Sequence, residues 1–317
     1  MKDVLDKLKF AVFEFVLVPE RAVEFTGFKG NVFRGALGKT LRNLTCVFKN
    51  NDTQCKTCFV RDKCIYSILF ESPHLPDGSV LGHVENAPHP FVLYVPDKYR
   101  LEYPGQSKIH FFLTLIGQAI EYIPYFILVF EEIGKKGIGT TRTPFKIAAV
   151  LCGEKNIYNP DEKKLNKEFP VHIGLDFWQE TWPHCNLTIQ LVTPTRLKFA
   201  KQFQKFITFE MLMRNLLRRI QLLSALYCSG PEWVDFKYLI ELAKEIEMKD
   251  ADIFWEQQTR FSFRQEQTLA IGGVSGRLEV SGDVSPFMPY LRIGEFLHVG
   301  KSTAFGLGKI ALEKSES

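Results

Sequence analysis

Apolar and polar side chains alternate along residues 186–192, with Leu187, Ile189 and Leu191 on one side and Thr188 and Gln190 on the other. This period of two predicts a strand with one buried face. Phe209, Leu212, Met213, Leu216, Leu217 and Ile220 then recur at helical spacing and predict a helix over 206–223. The runs Arg260 to Ala270 and Val274 to Ser281 flank Gly272-Gly273 as the arms of a hairpin. A helix with Pro286 in its first turn leads to Leu297, and Leu307 to Leu312 supplies a closing strand. Val234 to Lys249 reads as a further helix inserted before the hairpin. Strand, helix, strand, strand, helix, strand is the split β-α-β arrangement called ferredoxin-like.

The first half repeats this plan. Strand Phe10 to Val18 meets Pro19-Glu20-Arg21 as strand Leu187 to Val192 meets Pro194-Thr195-Arg196, and a basic amphipathic helix follows each. Gly117 precedes Ile123-Pro124-Tyr125 at the same distance at which Gly282 precedes Met288-Pro289-Tyr290. A strand-like run stands before each glycine (Ile109 to Leu115; Arg277 to Val280), and each copy continues through an apolar helix into a glycine-rich turn and a last strand. Matches in one order point to duplication. The expected class is α+β, two tandem ferredoxin-like (β-α-β-β-α-β) domains at 1–152 and 169–317. A polar linker at 153–168 joins them, and a cysteine-rich insertion at about 46–64 lies in the first.

Phe111 to Phe130 is nearly long enough to span a bilayer. Gln118, Glu121 and Pro124 in its middle, and the break at Gly117, make it a buried strand running into a buried helix, so no membrane partner is expected. The run MKDVLDKLKFAVFEF carries charge throughout and no small-residue cleavage site, so no signal peptide is expected either. Apolar residues make up 45% of the chain and charged residues 24%, as in an ordinary soluble globular protein. The formal charge of +4 is compatible with a polyanionic partner without demanding one. The 28 phenylalanines fall mostly in alternating or helical patterns, which assigns nearly all of them to core packing.

Seven cysteines without a secretory signal point to a reducing, cytoplasmic location. Cys46, Cys55, Cys58 and Cys64 are spaced C-x8-C-x2-C-x5-C, and four thiolates with one tight C-x2-C pair suit a tetrahedral site. The polar segment between them has too few apolar residues for a core of its own, so a structural zinc is the favoured reading. An iron–sulfur cluster or reduced free thiols stay open as alternatives. Cys152, Cys185 and Cys228 stand alone in apolar surroundings and read as core residues.

Cationic candidates fall in five places. On the first helix Phe33, Leu37, Leu41 and Leu44 form one face, and Arg34, Lys39 and Arg42 fan across its neighbour, where they could hold phosphates or neutralise a phosphorane. Arg214 and Arg218 stand one turn apart on the second-half helix, and Arg260 and Arg264 alternate with Phe261 and Phe263 on a strand, an interleaving that suits RNA laid across a sheet. The loop from Gly300 through Gly306 to Gly308 would offer backbone N–H groups to a phosphate backbone, with Lys301 as a local cation. Its first-half counterpart, Gly134 to Gly139, brings Lys135, Lys136 and Arg142. Of the histidines, His74, His83 and His89 share a loop-like stretch. His298 directly precedes the glycine-rich loop and is the leading acid–base candidate, with a helix-end cap as the bland alternative.

The runs TRFSFRQEQ, GGVSGRLEVSG and PFMPYLRIGEFLHVGKSTAFGLGKI, with RGALGKTLRN, the clustered cysteines and CIYSILFES in the first half, resemble the CRISPR pre-crRNA-processing endoribonucleases of the RAMP superfamily. The resemblance spans both halves and is densest over 260–310. It implies binding of CRISPR repeat RNA and cleavage within the repeat by attack of a ribose 2′-OH, leaving a 2′,3′-cyclic phosphate, with no metal needed for cleavage. Such chemistry needs a proton acceptor, a proton donor and cations for the developing charge. It also implies crRNA, and other CRISPR effector subunits, as partners. Many family members place a histidine on the first helix, whereas Gly30 to Cys46 contains none. That departure keeps a second reading open, a non-catalytic RAMP subunit that holds crRNA in an effector complex.

Overall fold

The computed structural model describes residues 2–48, 54–71, 81, 87–179, 186–200, 202–262 and 267–314, with no side-chain description for 259–262 and 267–270. The chain divides into two compact units, Phe10–Val171 and His172–Ser317, the latter joined by Met1–Lys9. The chain opens with a short helix, α1 (Lys2–Lys7), which packs with the later unit, where the Ser224 hydroxyl donates to the Val4 carbonyl.

The first unit runs β1 (Lys9–Pro19), α2 (Lys29–Thr45), α3 (Ile65–Phe70), β2 (Phe91–Tyr94), β3 (Ile109–Ile116), α4 (Ile123–Lys136), β4 (Phe145–Cys152) and β5 (Lys155–Asn156). The strands pair antiparallel in the order β2-β3-β1-β4-β5. Without β5 this is the ferredoxin-like order, with the first strand between the third and fourth. Register Phe15↔Phe111 sets two rings side by side at 4.7 Å. Phe33 of α2 and Phe130 of α4 close on Phe111 at 5.3 and 4.5 Å. All four rings are fully buried, and each contributes about 1.5–3 kcal/mol over its exposed state. Phe33, Leu37 and Leu41 are buried as their spacing predicts, but Leu44 is exposed at the end of α2.

The expected linker is part of this unit. Lys155 and Asn156 pair with β4, the Ile157 N–H donates to the Val150 carbonyl at 2.8 Å, and Ile157 and Tyr158 are buried. The apolar stretch at 111–130 divides as predicted into strand and helix. Among the described residues no helix is long and apolar enough to cross a membrane.

The second unit runs β6 (Leu187–Thr195), α5 (Phe209–Tyr227), α6 (Lys237–Lys244), β7 (Glu247–Glu256), β8 (Thr259–Ser262), β9 (Gln267–Ala270), β10 (Gly273–Ser281), α7 (Met288–Leu297) and β11 (Ile310–Lys314). Its main sheet has the order β7-β10-β6-β11, the same topology as the first. Two expectations change here. The inserted helix stops at Lys244, and the second strand of the sheet is β7, not the run at 260–270, which instead folds on itself as the hairpin β8–β9. β7 is an edge strand whose side chains are mostly exposed, so it carries no alternation to read.

Candidate nucleic-acid interface

Helix α2 begins at Lys29 without a side-chain cap. Lys29 itself is buried, and its Nζ donates to the carbonyls of Asp97 and Arg100 at 2.6 and 2.7 Å and to the Tyr103 hydroxyl at 2.8 Å. Burial pushes its pKa down to about 8, against the pull of nearby Asp97. This lysine ties the start of α2 to the loop before β3, so the helix presents a fixed face to its next turn.

On that face Arg34 is half-buried. Its guanidinium lies 4.7 Å from the ring centroid of Phe70, and its Nη2 lies 3.4 Å from Nε2 of His89. Two turns on, the Arg42 guanidinium sits 5.8 Å from the ring centroid of Tyr66. Tyr66 and Phe70, one turn apart on α3, are stacked at 5.3 Å, and Phe70 also meets Phe91 at 5.1 Å and His89 at 6.2 Å. Two arginines and one imidazole are thus carried by a short ladder of rings. Lys39 is exposed on the same helix. His89 is the residue that sequence reading did not single out. It stood among the histidines of one loop, and only the pairing of β2 with β3 brings it beside α2. His74 and His83 lie outside the described residues.

The four clustered cysteines line one cavity of about 170 Å³ between the end of α2 and the start of α3, together with Arg61, Lys63 and Tyr66. All four are free, half-buried thiols. Burial pushes the Cys55 thiol up, Glu71, Cys64 and Cys46 add to the shift, and Arg42 opposes it, so these groups share one neighbourhood. Among the described residues no three His, Cys, Asp or Glu side chains converge closely enough to hold an ion as they stand. Cys152 is buried as expected, Cys228 is half-buried, and Cys185 lies outside the described residues.

In the second unit the glycine-rich loop differs from its expected role. The N–H groups of Lys301, Gly306 and Gly308 donate to the carbonyls of Arg196, Thr303 and Pro194, so these three are spent within the unit and are not offered to a phosphate. The glycines answer close packing: a Cβ on Gly308 would stand 1.9 Å from the Val299 carbonyl oxygen, and one on Gly300 2.4 Å from that of Arg196. Both have positive φ (+75° and +85°). His298 is also corrected. It is only 2% exposed, its Nδ1 lies 3.0 Å from the Leu307 carbonyl oxygen, and burial with Lys309 nearby holds its pKa well below the usual imidazole value. A ring this buried, at the C-cap of α7 and turned onto the Leu307 carbonyl, is not placed to meet a ribose, and its lowered pKa does not favour the charged cap that the helix-end reading assumed.

What the loop does present is charge. The Lys301 side chain is exposed, yet its pKa is lowered by desolvation and by Lys198, Arg218 and Arg219, which places four cations in one neighbourhood. Arg196 and Lys198 also lie over the ring of Phe203, at 4.3 and 5.3 Å, and that ring is 40% exposed. Arg218 is exposed, as a phosphate contact requires, while Arg214 is taken up by Glu210 one turn away at 2.7 Å. Arg260 lies on β8 without a described side chain, and Arg264 is outside the described residues. In the first-half turn Lys135 pairs with Glu132, and Lys136 and Arg142 are exposed.

Two ferredoxin-like units thus follow one another in the chain, and in the later one a glycine-rich loop beside clustered cations leads into the last strand. A family model described as an N-terminal domain (AF_1859_N) matches residues 8–170, and the model described as CRISPR-associated endoribonuclease Cas6 matches residues 189–310. The later unit therefore carries a domain of the Cas6 family of CRISPR-associated endoribonucleases. An uncharacterized protein of Archaeoglobus fulgidus is 22% identical over 288 residues, covering 89% of this chain and 90% of its own. Among solved structures, Thermus thermophilus Cas6 superposes with a TM-score of 0.55 at 13% identity, over 96% of this chain and 99% of that one. A Cas6 product complex gives 0.58 at 13% identity, over 96% and 100%. A chain of a partial Cas6-RT-Cas1–Cas2 complex gives 0.57 at 12% identity over 97% of this chain, which spans only 46% of that chain's length. These structural likenesses establish the fold.

Proposed function

We propose that this protein binds CRISPR repeat RNA and cuts it within the repeat by attack of a ribose 2′-OH on the adjacent phosphate, leaving a 2′,3′-cyclic phosphate and needing no metal for that step. The observation that carries this reading is the Arg34–His89 contact. It supplies an imidazole to a helix that has none of its own, and sets it against a guanidinium. Imidazole titrates near neutrality, so His89 can take the 2′ proton or return one to the 5′ leaving oxygen. Arg34 and Arg42, held over Phe70 and Tyr66, would meet the charge that develops on the phosphorane. In the other unit, Lys198, Arg218 and Lys301 with the half-exposed ring of Phe203 make a surface suited to unpaired RNA, cations for its backbone and a ring for a base. The product complex among the solved Cas6 structures, and the Cas6-RT-Cas1–Cas2 complex, support RNA and other CRISPR proteins as its partners.

The test is incubation of the protein with repeat RNA in EDTA, beside the same RNA carrying one 2′-deoxy residue just upstream of the cut. Cleavage of the first and not the second supports the reading. Cutting of the deoxy substrate would require another nucleophile, such as a metal-activated water. Tight binding without any cleavage would favour the non-catalytic subunit, a reading supported by the missing first-helix histidine and the burial of His298.

A further inference from the structure

From the cavity between α2 and α3 we infer that Cys46, Cys55, Cys58 and Cys64 bind one zinc ion that fastens the two helix ends together. Cys46 is the C-cap of α2 and Cys64 the N-cap of α3, so two of the thiols are anchored on regular structure. Cys55 and Cys58 lie at the two ends of a single 3-10 turn. All four side chains line the same cavity. As they stand the described side chains do not converge closely enough to hold an ion, so the site would close around it until each thiolate lies about 2.3 Å from the zinc. Little resists that closure. The turns Cys55–Thr57 and Arg61–Lys63 bury no residue, and Phe59 between them is 85% exposed. The Cys46 thiol donates to the Phe48 carbonyl at 3.2 Å, a bond it would exchange for the metal.

The surroundings suit the product. Zinc with four thiolates carries two net negative charges, and Arg61 and Lys63 line the same cavity. Among its described residues this segment has turns but no buried side chain, and it directly precedes Tyr66 and Phe70, the rings beneath Arg42 and Arg34. The ion would therefore act by positioning, through α3, and touch no substrate. This inference concerns the cysteines alone and stands whether or not the protein cleaves RNA.

The experiment is metal analysis of the full chain purified without added metal, together with a Cys55→Ser/Cys58→Ser double variant. About one zinc per wild-type chain is expected. A mercurial reagent should release it as the clustered thiols react, and cobalt exchanged into the site should show the visible bands of a tetrahedral thiolate complex. The double variant should lose the zinc and melt at least ~5 °C lower. If that variant does not fold, thiol-coupled zinc release and the cobalt spectrum of the wild type still decide the matter. Metal-free protein with four freely reacting thiols, zinc retained by the double variant, or iron in place of zinc would each overturn the inference.

Discussion

A Cβ placed on Gly38 of α2 would stand 2.8 Å from Cε1 of Phe70 on α3. This close approach fixes how near the cysteine-bearing segment and its helix come to the cationic face, because Phe70 carries Arg34 on the other side of this junction.

Gly38→Ala therefore sets two effects against each other. Alanine is better than glycine in a helix interior by about 1 kcal/mol. Overpacking a buried site costs about 1–3 kcal/mol, and Phe70 is only 8% exposed with Tyr66 and Phe91 against its ring. The net expectation is a loss of about 1 kcal/mol in urea unfolding, from these same ranges. A variant as stable as the wild type, or more so, would mean that the ring yields freely.

His298 gives a prediction about pH. Its folded-state pKa lies well below 6.5, so on unfolding it gains a proton at mildly acidic pH. Its contribution to stability is complete above the unfolded value of about 6.5 and is lost as pH falls from there towards the folded value. Melting temperature should fall from pH 7 to pH 5 more steeply in the wild type than in His298→Gln. That variant should be less stable at pH 7 by about 1–3 kcal/mol, since the Leu307 carbonyl loses its partner. Its RNA cleavage rate, measured where it is folded, should stay within a few-fold of the wild type. A rate loss of a hundredfold would return His298 to the chemistry.

The tandem topology was legible because it rests on periodic burial and on glycine and proline punctuation. The alternation at 187–191, the apolar spacing at 209–220 and the paired Gly117–Pro124 and Gly282–Pro289 intervals all fall on the elements observed. β7 was not legible, because an exposed edge strand has no reason to alternate. Lys29 resembled any solvated helix lysine, and its burial depends on carbonyls at 97 and 100 that only the fold brings to it. The surroundings of His89 and His298 were illegible for a related reason. Proximity to a glycine-rich loop in sequence made His298 attractive, while the neighbour that matters to His89 lies at position 34, far back in the chain. The first-helix arginines were found by charge pattern, but the rings that carry them belong to a segment read for its cysteines and its family resemblance, not for its aromatic side chains.

The cations around the glycine-rich loop should act through the RNA backbone. Affinity for repeat RNA should fall linearly in log–log form as salt rises, and removing one cation from a phosphate should flatten the slope by about 0.7 for a single strand. Lys301→Ala and Arg218→Ala are expected to show this flattening in a salt series of binding isotherms. Arg214→Ala, whose guanidinium is engaged by Glu210, should leave the slope unchanged. Equal effects from all three would mean that the cluster is not the binding surface.

The most direct test of the central claim, that His89 beside Arg34 carries the acid–base chemistry, is the single-turnover cleavage rate of His89→Ala on repeat RNA in EDTA. A positioned acid–base group contributes about 10²- to 10⁴-fold. The variant should lose at least the lower figure in rate while binding RNA within a few-fold of the wild type. A rate equal to that of the wild type would contradict the account and leave the imidazole at Arg34 as a packing neighbour.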